Sequence, residues 1–441
     1  MDKQLKKIKG KIIDNIRSYY FHKFANKKFI PGKTYIPVSG KVFDHKDMIS
    51  LTESVLDFWL TEGRFARKFV ENFSNYLGVP YVSLTNSGSS ANLLAFSALM
   101  SRNLGKKRIK SGDEVITIAS GFPTTINPII QCGCIPVFVD ISLETLNIDV
   151  KKIEESITKK TKAIVLAHTL GNPFNIDVVT KLAKKYELFL VEDCCDALGS
   201  TYRGKLVGAF GDIATFSFYP AHQITMGEGG AVATKSLVLH RIIKSLRDWG
   251  RDCWCETGQD NTCGNRFGWK LGKLPFGYDH KYIYSHVGYN LKLTDLQASI
   301  GLSQLKKLPL FIKKRRQNFS ILLSSLKQYS KYFIFINKTA YSNPSWFGFP
   351  IIIKESAGFT RNELVNFLEE HNIATRMLFG GNLIKQPAYS YTKYKISGSL
   401  KNTDYILNNL FWIGVYPGIG KDQIKYILDT FRLFLSKHPL T

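Results

Sequence analysis

Four short stretches carry residues that could do chemistry together. The first, Asn86-Ser87-Gly88-Ser89-Ser90-Ala91-Asn92, is a small polar turn between an apolar run and a helical pattern. Glycine lets the backbone approach a ligand, and free N–H groups at a helix start suit a phosphate. Gly88 and Ser89 are thus candidate phosphate binders, although such a turn also serves as a plain helix cap. The second is Phe122, in Ser120-Gly121-Phe122-Pro123, an aromatic able to stack on a planar ring or simply to pack a loop. The third is Glu192-Asp193, which closes the apolar run Leu188–Val191. Open α/β sheets bind ligands at that end of a strand, and an Asp there can keep a pyridine nitrogen protonated or merely cap a helix. The fourth is Ser217-Phe218-Tyr219-Pro220-Ala221-His222, followed by Gly227-Glu228-Gly229-Gly230.

The cysteines form a separate constellation. Cys253-x-Cys255-x₇-Cys263 gathers three thiols in the loop Arg251 to Gly264. A closed tetrathiolate site needs a fourth ligand, and Cys195, two residues after Asp193, is the best candidate. Four thiolates also bind zinc well. Cys132, Cys134 and Cys194 lie in or beside apolar runs and read as packing residues.

These residues need a scaffold. From about residue 80 the chain alternates β-rich runs with helical periodicity, at Tyr81–Thr85, Val115–Ala119, Pro136–Asp140, Ala163–Ala167, Leu188–Glu192, Ile213–Phe218 and Ala231–Thr234. That pattern predicts βαβ units and a largely parallel sheet covered by helices on both faces. An earlier amphipathic helix is expected to feed Leu51, Val55, Leu56 and Phe58 into one apolar face. Leu293 to about Leu326 reads as a long helix broken near Pro309. The strand Ser345–Ile353 and the helices Arg361–His371 and Asp422–Leu435 follow, predicting a smaller α+β domain. The expected division is a basic segment at 1–45, a large domain at 46–312 holding the cysteine loop 251–264, and a small C-terminal domain at 313–441.

Taken in order, the four stretches resemble the sugar aminotransferase family of the aspartate aminotransferase fold (type I), across nearly the whole chain. The resemblance implies an α/β fold with a mainly parallel seven-stranded sheet and a smaller C-terminal α+β domain. It implies that Gly88, Ser89 and Ser217 hold a cofactor phosphate, that Phe122 stacks on the ring and that Asp193 binds its nitrogen. Gly288-Tyr289-Asn290 resembles the segment whose Asn290 would reach the phosphate of a neighbouring subunit, implying a homodimer. The chain departs from the family at one decisive place: His222 stands where the Schiff-base lysine belongs, and no lysine occurs between Lys205 and Lys235. An imidazole cannot form that bond but suits proton transfer near neutral pH. Non-covalently held pyridoxamine phosphate (PMP) is therefore expected, with His222 as the base.

Lysine replaced by histidine resembles the sugar 3-dehydratases. The full pattern, Cys195-x₅₇-Cys253-x-Cys255-x₇-Cys263, resembles the 2Fe–2S signature of the CDP-4-keto-6-deoxyglucose 3-dehydratases, which serve 3,6-dideoxyhexose and O-antigen synthesis. That implies a CDP-linked substrate and a partner reductase passing electrons from NADH through the cluster. Gly32 to Lys41 and Arg376 are candidates for holding the nucleotide.

Composition narrows the surroundings. Lys and Arg number 60 against 35 Asp and Glu, a formal charge of +25, which favours anionic partners or substrates. No nucleic-acid-binding motif accompanies that charge, so nucleic acid is not expected. No run approaches the roughly 18 apolar residues of a membrane span, and the basic first thirty residues lack an apolar signal core. A cytoplasmic protein is expected, in which an odd set of seven cysteines stays reduced.

Overall fold

Apolar runs bounded by glycine and proline become the strands of one large sheet. The computed structural model describes residues 2–25 and 28–439. Its strands are β1 (Tyr81–Thr85), β2 (Glu114–Thr117), β3 (Ile135–Phe138), β4 (Thr161–Ala167), β5 (Phe189–Asp193), the short pair β6 (Thr201–Tyr202) and β7 (Lys205–Leu206), β8 (Ile213–Ser217) and β9 (Gly230–Thr234). Later come β10 (Phe333–Phe335), β11 (Ser342–Asn343), β12 (Gly348–Ile353), β13 (Thr375–Arg376), β14 (Lys395–Ile396) and β15 (Leu410–Gly414).

The large sheet has the order β1-β9-β8-β5-β4-β2-β3-β14. Only β9 runs against its neighbours; the other pairings are parallel. The sheet is one strand wider than the seven expected. The extra strand, β14, is a two-residue segment with exposed side chains, so no apolar run announces it. A four-stranded antiparallel sheet, β10-β12-β15-β13, forms the smaller unit.

Helices α1 (Lys3–Lys23), α2 (His45–Asp57), α3 (Arg64–Leu77), α4 (Gly88–Leu99), α5 (Pro123–Gln131), α6 (Ile176–Lys185), α7 (Leu237–Arg247), α8 (Asp295–Leu305), α9 (Leu308–Leu326), α10 (Arg361–Glu370), α11 (Lys401–Asn409) and α12 (Lys421–Ser436) complete the fold. Pro309 starts α9, where the missing N–H costs nothing, so the expected break near it is real. Helix α9 also runs through the expected domain division at residue 312. The basic segment contributes to the core: Ile36 and Val38 are buried, and Ile36 bridges Ile373.

Two packing arrangements set the position of the site. Phe69 and Phe73 of α3 meet Phe216 and Phe218 edge to face, with centroids 5.1 to 5.7 Å apart, which fixes β8 up to Ser217. Asp295, opening α8, accepts the amides of Gly63 (3.0 Å), Phe65 (3.2 Å) and Ala66 (2.8 Å), so one buried carboxylate caps α3 from another helix. The face assigned to α2 needs correction. Ser54 and Asp47 are its buried residues, whereas Val55, Leu56 and Phe58 are exposed, Phe58 by 74%. The helix ends at Asp57 with Phe58 in a left-handed conformation, which carries that ring off the core.

Candidate active site

A cavity of about 820 Å³ opens at the C-terminal ends of the parallel strands, where such sheets bind ligands. Ser87, Gly88, Ser89, Phe122, Asp193, Cys195, Ser217 and His222 all line it. The turn after β1 is capped by Ser87, whose hydroxyl accepts the Ser90 amide at 3.0 Å, so α4 begins at Gly88 with its first amides facing the cavity mouth. Only glycine fits at position 88. A Cβ there would stand 2.5 Å from Ser217 Cβ and 3.1 Å from Cys195 Sγ. The antiparallel β9 produces this closeness, since Gly230 pairs with both Thr85 and Ser217.

Asp193 ends β5 as a buried carboxylate held from three sides. It accepts Asn92 Nδ2 at 2.8 Å, Thr125 Oγ1 at 2.7 Å and the Cys195 amide at 3.1 Å. Thr215 in turn donates to Asn92 Oδ1 at 2.5 Å. This network holds the carboxylate in one orientation at the cavity wall, where it could face a cationic group. Phe122, half exposed, is the residue before α5 and meets Phe379 edge to face.

His222 follows the turn after β8. Its Nδ1 has no hydrogen-bond partner and lies 3.7 Å from Asp196 Oδ1. Burial, then the nearby Arg315 guanidinium, pushes the imidazole down to about 4. Burial, then the Asp193 charge, pushes Asp196 up to about 8. Burial disfavours the charged form of each group, and at 3.7 Å the two are in contact without a hydrogen bond. Arg315 is buried and donates to the carbonyl oxygens of His222 (2.9 Å) and Trp346 (3.1 Å), which pins the loop. Phe347 packs on the imidazole with centroids 5.2 Å apart. Among the described residues no lysine lines the cavity.

The cysteines divide. Cys253, Cys255 and Cys263 line one small cavity together with Asp260 and His280. Hydrogen bonds with Thr262 (3.0 Å) and Cys253 hold the Cys255 thiol below its usual range against the upward push of burial. Cys195 lines the large cavity instead, where burial and Asp193 push its thiol well up. Cys194 and Cys134 are buried packing residues, and Cys132 is half-buried. Asn290 is exposed and lies outside the cavity of its own protomer. Of the nucleotide candidates, Val38, Ser39 and Arg376 line the cavity.

Sequence reasoning missed the roles of Asn92, Thr125, Asp196, Arg315 and Phe347, whose partners are distant in the chain. Only Asp196 left a trace, the third carboxylate within Glu192-Asp193-Cys194-Cys195-Asp196.

The profile of the DegT/DnrJ/EryC1/StrS aminotransferase family matches residues 43–432. The chain belongs to this family. It is 54% identical over 429 residues to the lipopolysaccharide biosynthesis protein RfbH of Salmonella typhimurium, covering 97% of this chain and 98% of that one. It is 52% identical over 429 residues to the dTDP-4-dehydro-2,6-dideoxy-D-glucose 3-dehydratase of Saccharopolyspora spinosa, covering 97% and 92%. Among solved structures, the Escherichia coli GDP-4-keto-6-deoxy-D-mannose-3-dehydratase with bound hydrated PLP superposes with a TM-score of 0.80 at 31% identity. The match covers 90% of this chain and 99% of that one. Membership settles the type I fold. Among the described residues no helix is long and apolar enough to cross a membrane.

Proposed function

We propose that this member of the family is a PMP-dependent enzyme that removes the 3-hydroxyl of a nucleotide-linked 4-keto-6-deoxyhexose, for deoxysugar and surface-polysaccharide synthesis. One observation carries the reading: a neutral, unpartnered imidazole stands in a cofactor-sized cavity that no described lysine lines. The RfbH and 3-dehydratase relatives, at 54% and 52% identity, support it.

When bound, PMP supplies an amine that condenses with a keto group and a pyridinium ring that accepts an electron pair. Gly88, Ser89 and Ser217 would hold its phosphate, Asp193 its ring nitrogen and Phe122 its face. His222 would take the proton from the cofactor's 4′ carbon, with Asp196 3.7 Å from its Nδ1 and Asp193 nearby to favour the protonated imidazole. Arg376 and Ser39, which line the same cavity, would meet the nucleotide diphosphate. The expected nucleotide is CDP, although one relative is named for a dTDP-sugar and another for a GDP-sugar. Seven free thiols suit a reducing cytoplasm.

A cluster-bearing version of this reading rests on the three thiols that share the small cavity. In it Cys195, Cys253, Cys255 and Cys263 hold 2Fe–2S and an NADH-dependent reductase supplies electrons. Within the protomer Cys253, Cys255 and Cys263 share the small cavity, while Cys195 lines the large one. Asn290, lying outside its own cavity, would serve the partner's site in a homodimer.

The test is to load the protein with PMP and offer CDP-, dTDP- and GDP-4-keto-6-deoxyhexoses. Loss of the 3-hydroxyl from one of them, with proton exchange at the 4′ carbon that His222→Asn removes, is expected. An amino sugar as the product, or a cofactor covalently held after borohydride, would overturn the reading. Metal analysis of anaerobically purified protein decides the cluster: iron is expected, and its loss in Cys263→Ser, whereas zinc alone would refute it.

A further inference from the structure

A second cavity, of about 620 Å³, lies at the opposite edge of the large sheet, beneath the N-terminal ends of β4, β5 and β8. Lys106 and Lys107 come from the turn after α4, Lys162 from β4 and Lys184 from α6. These four converge from three separate elements, yet none makes an ion pair among the described residues, although the next residue along, Lys185, pairs with Glu154 at 2.5 Å. Two carboxylates face the same space, Glu187 and Asp212. Asp212 accepts the Leu190 amide at 2.8 Å, and four ammoniums against two carboxylates leave the balance positive.

The flank is positive too. Lys205 lies 4.8 Å over the ring of Phe210, which lines the cavity. Beside it Lys235 donates to the Ala209 carbonyl at 2.5 Å, and burial together with the Lys205 charge lowers its pKa. Like charges brought this close stabilise a bound anion. The remaining wall is apolar and aromatic, with Phe189, Phe210 and Leu190.

We infer that this cavity is a second binding site, for a phosphorylated organic anion of nucleotide size. Its volume falls within the roughly 300–1,000 Å³ of small-molecule sites and exceeds what an inorganic ion fills. Lysine ammoniums are point charges suited to phosphate, and the aromatic wall suits a base or similar flat group. The site shares no lining residue with the cavity holding His222 and stands independently of that reaction.

Equilibrium dialysis of the full-length PMP-loaded protein with radiolabelled CTP tests this. Wild type should bind CTP with an affinity that falls as salt rises. The double variant Lys107→Glu with Lys162→Glu should bind at least about tenfold more weakly, since each partly exposed ammonium–phosphate contact contributes a factor of a few. The milder pair Lys106→Ala with Lys184→Ala should weaken binding in the same direction with its circular dichroism unchanged. Pyrophosphate should compete less well than CTP. Unchanged affinity in both lysine pairs overturns the inference, as does loss of all CTP binding in Arg376→Ala, which would place the ligand in the main cavity. Pyrophosphate competing as well as CTP would overturn the nucleotide-sized ligand.

Discussion

Gly88 and Ser217 share so little space that the smallest side chain would not fit between them. Gly88→Ala must therefore push the start of α4 or Ser217 aside, at a cost of about 1–3 kcal/mol for a crowded site. PMP affinity is expected to drop about tenfold while the fold persists, read by absorbance titration. His222→Asn keeps the shape and removes the proposed base, so 4′ proton exchange should fall about 10²- to 10⁴-fold with PMP still bound. His222 also makes stability depend on pH, and the sign follows from the direction of its shift. Its imidazole sits at about 4 in the fold, below the ~6.5 of the unfolded chain, so the unfolded state binds the proton first. The contribution is fully present above ~6.5 and is lost as pH falls toward the folded value, amounting to about 2 kcal/mol between pH 7 and 5. Urea midpoints at those two pH values should draw closer together in His222→Asn by that amount. His240, also near 4, stays in both proteins and cancels in the comparison.

At the level of elements, Asp295 has the clearest single effect. Asp295→Ala leaves the first amides of α3 without their cap, which should cost about 2 kcal/mol in urea unfolding. Because α3 carries Phe69 and Phe73 against β8, the PMP affinity of that variant should weaken as well. The seven long strands could be read in the sequence because each is a near-continuous apolar run with turn residues at its ends. β14 could not, since its two residues join the sheet only through β3. The apolar face of α2 was misread because spacing alone cannot show where the chain turns away at Phe58. In the site, residues at strand ends were legible, including Asp193, Ser217 and His222. Asn92, Thr125 and Arg315 were not, because what gives each its role is a partner one to two helices away.

For the whole molecule, some of the most exposed apolar side chains lie in or near the segment that carries the cysteine loop and in the α2 end that touches it. Phe58 is 74% exposed, Phe276 73% and Val287 98%, and Gly258 of that loop lies against Trp59. So much apolar surface suits burial by a second copy, as the dimer proposed from Asn290 requires. Sedimentation should find twice the 50.0 kDa chain mass. Phe58→Glu combined with Val287→Asp should give monomers with weakened PMP binding; a dimer unaffected by both would count against this face. The strand β9, running against its neighbours, carries a further consequence for how the protein is made. It joins β1, laid down early, to β8, and Gly230 must arrive before Thr85 and Ser217 can stand on either side of it. Closing so long a stretch of chain is slow compared with local helix formation. The juncture of Gly88 and Ser217, proposed to hold the cofactor phosphate, is thus a late product of synthesis, and a growing chain halted before β9 has helices and most of the parallel strands but lacks it. Phe347, Arg376 and Trp412, which line the same cavity, are made later still, so the cavity closes only when the smaller sheet is in place.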